Sequence, residues 1–316
     1  MKKADYTADI ANDWCAGCGD FGILRALENA LAALQLPLHQ VAVFGGIGCS
    51  GKTPYYLSTN GIHTLHGRVL PFASGAKLAN PELTVIALGG DGDGLGIGAG
   101  HFANAGRRNL DITYILFNNG VYGLTKGQAA PTLRQGEQTK AMAQENILSH
   151  LNPILLAVTA GFSWIGRGYA YDPRQLQSLI EKAVQHRGSA FIEVLQPCPT
   201  YNDLHDKQWY IGGKADETSR LYYLHDENFD PCVPVSAEKQ LQQQKLTQCV
   251  IKAQEWGQRI PLGVFFQNLS QHEMTEKIKQ QQFNYQEYPP AKQPLLDDNP
   301  RNAIDWSGFF KNHVLC

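Results

Sequence analysis

The chain contains no continuous apolar run of 18 residues, so it has no candidate for a membrane-spanning helix. Its first residues, MKKADYTADIAND, are charged and lack the apolar stretch of an export signal, so the expected location is cytoplasmic, with no membrane partner. It also lacks an excess of either charge: 27 Lys and Arg stand against 29 Asp and Glu, a formal net charge of −2. Bulk electrostatics therefore gives no reason to expect a nucleic-acid partner. Cysteine is not arranged as a disulfide framework, because seven cysteines are spread through 316 residues without an export signal. Free thiols or metal ligands remain. A dinucleotide fingerprint is missing too, since no register of Gly89 to Gly100 satisfies G-x-G-x-x-G.

What the sequence does have is concentrated in residues 84–126. Thr84 to Leu88 is an unbroken β-branched and apolar run, the pattern of a strand buried on both faces of a parallel sheet. It ends in Gly89-Gly90-Asp91-Gly92-Asp93-Gly94. A helical pattern follows from Leu95 to Arg108, then a second apolar run from Asp111 to Phe117 and the pair Asn118-Asn119. Such a βαβ unit places both carboxyl ends on one sheet edge, where open α/β sheets bind ligands. Asp91 and Asn119 are then neighbours in space. A carboxylate, an amide oxygen and backbone carbonyls are donors suited to Mg²⁺, which completes its shell with phosphate oxygens. Glycines let backbone N–H groups approach a diphosphate at a helix start.

The flanking chain repeats this scheme. The spacing predicts helices over Ile23 to Leu34, Pro71 to Ala79, Pro153 to Ala160 and Pro173 to Gln185, and strands over Val41 to Phe44, Phe162 to Gly166 and Ala190 to Leu195. Leu133 to Asn146 reads as an exposed loop or short helix. From about Asp206 the chain turns richer in Gln, Tyr, Asp and Pro, with one helical stretch near Ala237 to Trp256; Gln280 to Arg301 has few core-forming residues. The expected architecture is α/β, a mostly parallel sheet with helices on both faces. Residues 1–205 form its domain, and 206–316 are a C-terminal extension or interface arm that wraps a neighbour.

Cys15 and Cys18 (in DWCAGCGDFG), Cys49 (in GGIGCSGK) and Cys198 (in QPCPTY) all lie in Gly- or Pro-bearing loops that can converge at one sheet edge. Four thiolates so placed suit tetrahedral Zn²⁺ or a 4Fe–4S cluster, and spacing alone leaves both open, beside unrelated buried thiols. Cys232, Cys249 and Cys316 read as unligated thiols.

The GDG…NN pattern resembles the thiamine diphosphate motif, in which the Asp, the second Asn and a backbone carbonyl two residues later hold the metal; here these match Asp91, Asn119 and Val121. In order, DWCAGCGDFGIL, GGIGCSGK, GIHTLHGR, GDGDGLGIGAGHF, NNGVYGLTKGQ and PCPTYND resemble the β subunit of a two-subunit 2-oxoacid:ferredoxin oxidoreductase from residue 5 to about 205, and RIPLGVFF (259–266) is similar to that family's tail. The resemblance implies the thiamine diphosphate-binding fold, with Mg²⁺ and one 4Fe–4S cluster on Cys15, Cys18, Cys49 and Cys198. It implies cofactor contacts from Gly48, His66, Gly90, Gly92, Asp93, Gly123 and Leu124. Lys52 and Lys126 would lie near the substrate carboxylate, with Leu124 shaping its side-chain pocket, and His66 and Arg68 would meet phosphates or substrate, leaving His63 a weaker candidate.

The implied reaction is decarboxylation of a 2-oxoacid, 2-oxoglutarate or pyruvate, with two one-electron transfers through the cluster to ferredoxin or flavodoxin and transfer of the acyl group to coenzyme A. In this family an α subunit supplies the glutamate that activates the cofactor. The pattern departs in two places: Ala129-Ala130-Pro131-Thr132 stands where members often have A-S-P-T, and Leu133 to His150 lacks a TTPYG-like loop. The competing readings are a non-redox thiamine lyase or synthase with structural zinc, and a non-catalytic assembly subunit, against which intact Asp91 and Asn119 argue.

Overall fold

Apolar strands that alternate side chains between two covered faces build the body of the molecule. In the computed structural model, which describes residues 1–212, 218–282 and 284–293, the strands are β1 (Val41–Gly45), β2 (Asn60–His63), β3 (Thr84–Gly90), β4 (Thr113–Asn118), β5 (Val121–Tyr122), β6 (Gln128–Ala129), β7 (Trp164–Tyr169), β8 (Ala190–Leu195), β9 (Leu221–Tyr223), β10 (Cys232–Val233) and β11 (Ile260–Asn268). The helices used below are α1 (Lys3–Tyr6), α2 (Asp20–Ala33), α3 (Val69–Ala79), α4 (Ala99–Arg108), α5 (Pro153–Ala160), α6 (Pro173–Gln185), α7 (Lys207–Ile211), α8 (Lys239–Ala253) and α9 (Met274–Gln281). The main sheet runs β10-β11-β7-β8-β4-β3-β1-β2, and β9 also pairs with β11. From β2 to β7 every pairing is parallel, whereas β11 joins β7 antiparallel.

The two faces are read directly from alternate residues. Val41 and Val43 of β1, Ile86 and Leu88 of β3, and Ile192 and Val194 of β8 pack with α2 and α6; Ala42 and Phe44, Val85 and Ala87, and Phe191 pack with α3, α4, α5 and α8. Both faces being covered explains why these strands show no polar alternation. The expected α/β sheet with helices on both faces is what forms.

Two elements differ from the sequence reading. The helix expected from Leu95 begins instead with a π-helical turn, Gly92–Ile97, and becomes regular only at Ala99. Four glycines from Gly90 to Gly96 permit that wide turn, which lets the Asp93 carboxylate reach neighbouring loops. Leu133 to Asn146 forms no helix, and Leu133, Thr139 and Asn146 are buried within it. From Leu221 the chain adds three strands to the main sheet, and α8 packs against its face. The readings for Cys316 and for 294–301 lie outside the described residues.

At the amino ends of the strands, Asn109 takes a left-handed conformation at the end of α4, and its Oδ1 accepts hydrogen bonds from the Ser163 hydroxyl at 2.6 Å and the Ser189 N–H at 2.8 Å. Ser163 Oγ also lies 2.8 Å from His186 Nε2. Burial pushes the His186 imidazole down from 6.5 to about 4, with the Asp111 charge opposing. The unfolded chain therefore binds a proton below about 6.5 that the folded chain refuses until about 4. Stability from this group is complete above that window and declines as pH falls through it, by at most about 3 kcal/mol. Thermal unfolding of His186→Gln across this range should show a shallower acid loss than the parent; parallel curves would refute the assignment.

Candidate active site

Chain direction reverses at β1 and β3: the chain leaves β1 toward β2 and leaves β3 toward β4, so the loops after β1 and β3 part at the carboxyl edge. That divergence is the usual ligand crevice of an open α/β sheet. Here it holds an open pocket lined by Ile47 to Ser50, His66, Gly90 to Asp93, Phe117, Asn119, Val121 to Thr125 and Gln196.

Asp93 ties the walls together. Its Oδ1 accepts the backbone N–H of Ile47 at 3.0 Å and of Gly67 at 2.8 Å, and pairs with His66 Nδ1 at 2.7 Å. One buried carboxylate thus joins the loops after β1, β2 and β3. The approach is so close that a Cβ on Gly46 would stand 2.1 Å from Asp93 Oδ2, and one on Gly92 would stand 2.3 Å from the Tyr122 ring.

Asp91 has a different role. It is buried, and its Oδ2 accepts the Gly120 N–H at 3.0 Å and the Thr132 hydroxyl. That hydroxyl also lies 2.8 Å from Asn118 Oδ1. Asn118 Nδ2 donates at 2.7 Å to Glu193 Oε1, whose other oxygen takes the Arg167 Nε–H at 2.7 Å. The Arg167 guanidinium lies 5.1 Å from the ring centre of Phe265 and 5.9 Å from that of Trp256, both contributed by the chain beyond 206. Burial pushes the Asp91 carboxyl up to about 6, against the hydrogen bonds from Thr132 and the backbone. Among the described residues no lysine, arginine or histidine forms an ion pair with Asp91. A buried carboxylate whose ionisation is costly gains from a hard cation, and the adjacent Asn119 amide supplies a further oxygen. The residues fit that group.

The cysteines gather beyond the Gly123 wall. A Cβ at Gly123 would lie 3.7 Å from Cys49 Sγ and 3.9 Å from Cys198 Sγ. Burial raises the Cys18, Cys49 and Cys198 thiols, Cys49 to about 11, and the nearby Asp20 carboxyl adds to each. The charge of neighbouring cysteines raises Cys18 and Cys49 further, Cys15 acting on Cys49. Thiolates so crowded need a compensating positive centre, which suits a metal-bearing group. Among the described residues no three His, Cys, Asp or Glu side chains are placed as ligands of a single metal ion. A cluster asks less than that, since its thiolates bind separate irons.

Of the residues expected from sequence, Gly48, Cys49, His66, Gly90, Asp91, Gly92, Asp93, Asn119, Val121, Gly123 and Leu124 line the pocket. Lys52 lies outside that lining, ion-paired with Asp13 at 2.7 Å, and Lys126 is exposed in the β5–β6 turn with φ +78°. His63 contacts Tyr55, and Arg68 contacts His101. Sequence reasoning missed Thr132, Glu193, Arg167 and Gln196. The available signal for Glu193 was a charge inside the apolar strand AFIEVL.

A family profile described as thiamine pyrophosphate enzyme, C-terminal TPP binding domain, matches residues 46–194, and a profile of the C-terminal part of the pyruvate ferredoxin oxidoreductase beta subunit matches 198–282. The chain is 50% identical over 283 residues to the 2-oxoacid:ferredoxin oxidoreductase subunit beta of Saccharolobus solfataricus, spanning 89% of this chain and 90% of that one. It is 44% identical over 203 residues to the 2-oxoglutarate oxidoreductase subunit KorB of Mycobacterium tuberculosis, spanning 64% and 54%. A solved 2-oxoglutarate:ferredoxin oxidoreductase from Magnetococcus marinus, with 2-oxoglutarate, coenzyme A and succinyl-CoA bound, is similar at TM-score 0.78 and 29% identity, covering 99% of this chain and 96% of that one.

Asp93→Ala should leave the Ile47 and Gly67 N–H groups unpaired, at about 1–3 kcal/mol each. Denaturant unfolding should show a loss of at least about 2 kcal/mol, less for Asp93→Asn, which keeps an acceptor oxygen. Unchanged stability in both would remove Asp93 from its tying role.

Proposed function

The chain belongs to the family of 2-oxoacid:ferredoxin oxidoreductase β subunits, and from that premise we propose that it binds thiamine diphosphate, Mg²⁺ and one 4Fe–4S cluster in a coenzyme A-dependent 2-oxoacid:ferredoxin oxidoreductase. Thiamine diphosphate, when bound, supplies the electron sink for decarboxylation. The observation that carries the reading is a shared wall: Cys49 and Gly123 line the same pocket as Asp91 and Asn119, and Cys198 lies against Gly123.

In this reading Asp91, Asn119 and the Val121 carbonyl hold Mg²⁺, the Gly48, Gly90 and Gly92 backbone admits the diphosphate, and His66, oriented by Asp93, contacts it. Cys15, Cys18, Cys49 and Cys198 hold the cluster. Leu124 and Lys126, on one hairpin turn, shape and charge the substrate entrance. Lys52, held by Asp13, lies near the substrate carboxylate in this reading. The substrate is 2-oxoglutarate or pyruvate, and ferredoxin or flavodoxin accepts the electrons.

No glutamate lines the pocket among the described residues, which supports an α subunit as donor of the activating carboxylate. Residues 1–205 carry the cofactor site in this reading, and 206–316 form part of the interface with that subunit. A cytoplasmic location belongs to the same reading; among the described residues no helix is long and apolar enough to cross a membrane.

Anaerobic co-expression with the α subunit should give a brown complex with about four irons per β chain, bleached by 2-oxoacid plus coenzyme A. An iron-free, colourless complex carrying stoichiometric zinc would replace this reading with the non-redox thiamine lyase or synthase.

A further inference from the structure

The cation-binding half and the cysteine half of the site meet at one buried side chain. Gln196 is 2% exposed and follows directly on β8, whose register sets Leu195 opposite Asn118; the Gln196 N–H donates to the Asn118 carbonyl at 2.9 Å. Parallel pairing thus lays Gln196 beside Asn119 without any help from loop geometry. The orientation of both amides then follows from one fixed donor. The Val121 N–H points at the Asn119 side chain at 3.0 Å, so the atom facing it is Oδ1. Asn119 Nδ2 is thereby turned toward Gln196 and donates to its Oε1 at 2.8 Å. Gln196 Nε2 must point the other way, where it lies 2.9 Å from the Pro197 carbonyl and 3.4 Å from Cys18 Sγ.

We propose that Gln196 is a positioning residue serving both cofactors, its carboxamide oxygen holding the Asn119 amide oriented for the cation and its N–H donating to the Cys18 sulfur. The inference rests on the cluster and Mg²⁺ reading given above. An N–H donor on a cluster thiolate stabilises the reduced state, which carries one more negative charge, so Gln196 raises the reduction potential. The same amide keeps Asn119 Oδ1 on the side of Val121, whose carbonyl would be a further ligand of the cation in that reading. Rotation of Gln196 would disturb both ends at once.

The test uses the anaerobic αβ complex with two variants, Gln196→Met and Gln196→Glu. Two quantities are read for each: the midpoint potential of the cluster by redox titration with electron paramagnetic resonance, and the Mg²⁺ concentration for half-maximal thiamine diphosphate binding, followed by tryptophan fluorescence. Gln196→Met has similar length and no amide; it should lower the potential and raise the Mg²⁺ requirement about tenfold or more. Gln196→Glu keeps an oxygen for Asn119 while losing the amide donor, so its Mg²⁺ requirement should stay near the parental value while its potential falls. An assembled Gln196→Met complex in which either quantity matches the parent overturns the proposal. If that variant fails to assemble, Gln196→Glu decides: an unshifted potential or a parallel loss of Mg²⁺ affinity overturns it. A parental complex with no iron or no Mg²⁺-dependent cofactor binding overturns the underlying reading itself, an outcome distinguishable from failure of the Gln196 role alone.

Discussion

A single buried carboxylate joins the three loops that wall this pocket. Asp93, on the loop after β3, receives two backbone N–H groups and one imidazole from the loops after β1 and β2, so one side chain joins all three. Hydrogen bonds to an ionised group are stronger than neutral ones, and a buried acceptor that loses its donors is costly, so the arrangement is close to all or none. The glycines around it follow from this geometry. Gly46 has no side chain because the carboxylate lies where one would be, and the π-helical turn after Asp91 exists to carry Asp93 inward. Sequence, backbone shape and pocket wall are here one constraint.

Asp91 is held from the opposite side by a longer construction. A hydroxyl, an amide, a carboxylate and a guanidinium, from Thr132 through Asn118 and Glu193 to Arg167, run from the pocket into the sheet. A buried ion pair such as Arg167–Glu193 is weak evidence for stability, because desolvation offsets much of its attraction. What it supplies here is direction: the Arg167 Nε–H fixes Glu193, Glu193 takes the Asn118 Nδ2–H and so turns Asn118 Oδ1 toward the Thr132 hydroxyl, whose single proton is shared between that oxygen and Asp91. The aromatic faces of Phe265 and Trp256 over Arg167 mean that the chain beyond 206 helps set the geometry of a group near its middle.

The core of the molecule was legible in the sequence wherever one strand pattern sufficed. Thr84 to Leu88 and Ala190 to Leu195 could only be doubly covered strands, and the acidic glycine turn with its Asn-Asn partner placed Asp91 beside Asn119 correctly. What stayed hidden depends on register. Nothing local to Gln196 or Glu193 says that parallel pairing of β4 with β8 sets them against Asn119 and Asn118. β2 was invisible because an exposed four-residue edge strand, NGIH, has no apolar pattern. β11 was seen as a motif yet not as a strand of the main sheet, since its partner β7 lies about a hundred positions earlier. The resemblance implied only that Lys52 lies near the substrate carboxylate; its pairing with Asp13 is a contact across 39 positions that spacing cannot reveal.

The antiparallel seating of β11 on β7 also bears on how the molecule is made. Among the described residues, the edge of β7 is paired by β11, which begins at Ile260, and the charged Arg167 side chain is covered by Trp256 and Phe265. During synthesis the parallel strands from β1 to β8 leave the ribosome first and must wait, at ordinary elongation rates of about 5–20 residues per second, several seconds for the strand that completes them. Over that interval the nascent chain carries an open sheet edge, the feature most prone to pairing with another chain. The moment of greatest exposure to misassembly therefore falls after the cofactor loops have emerged and before the last strand has closed over Arg167.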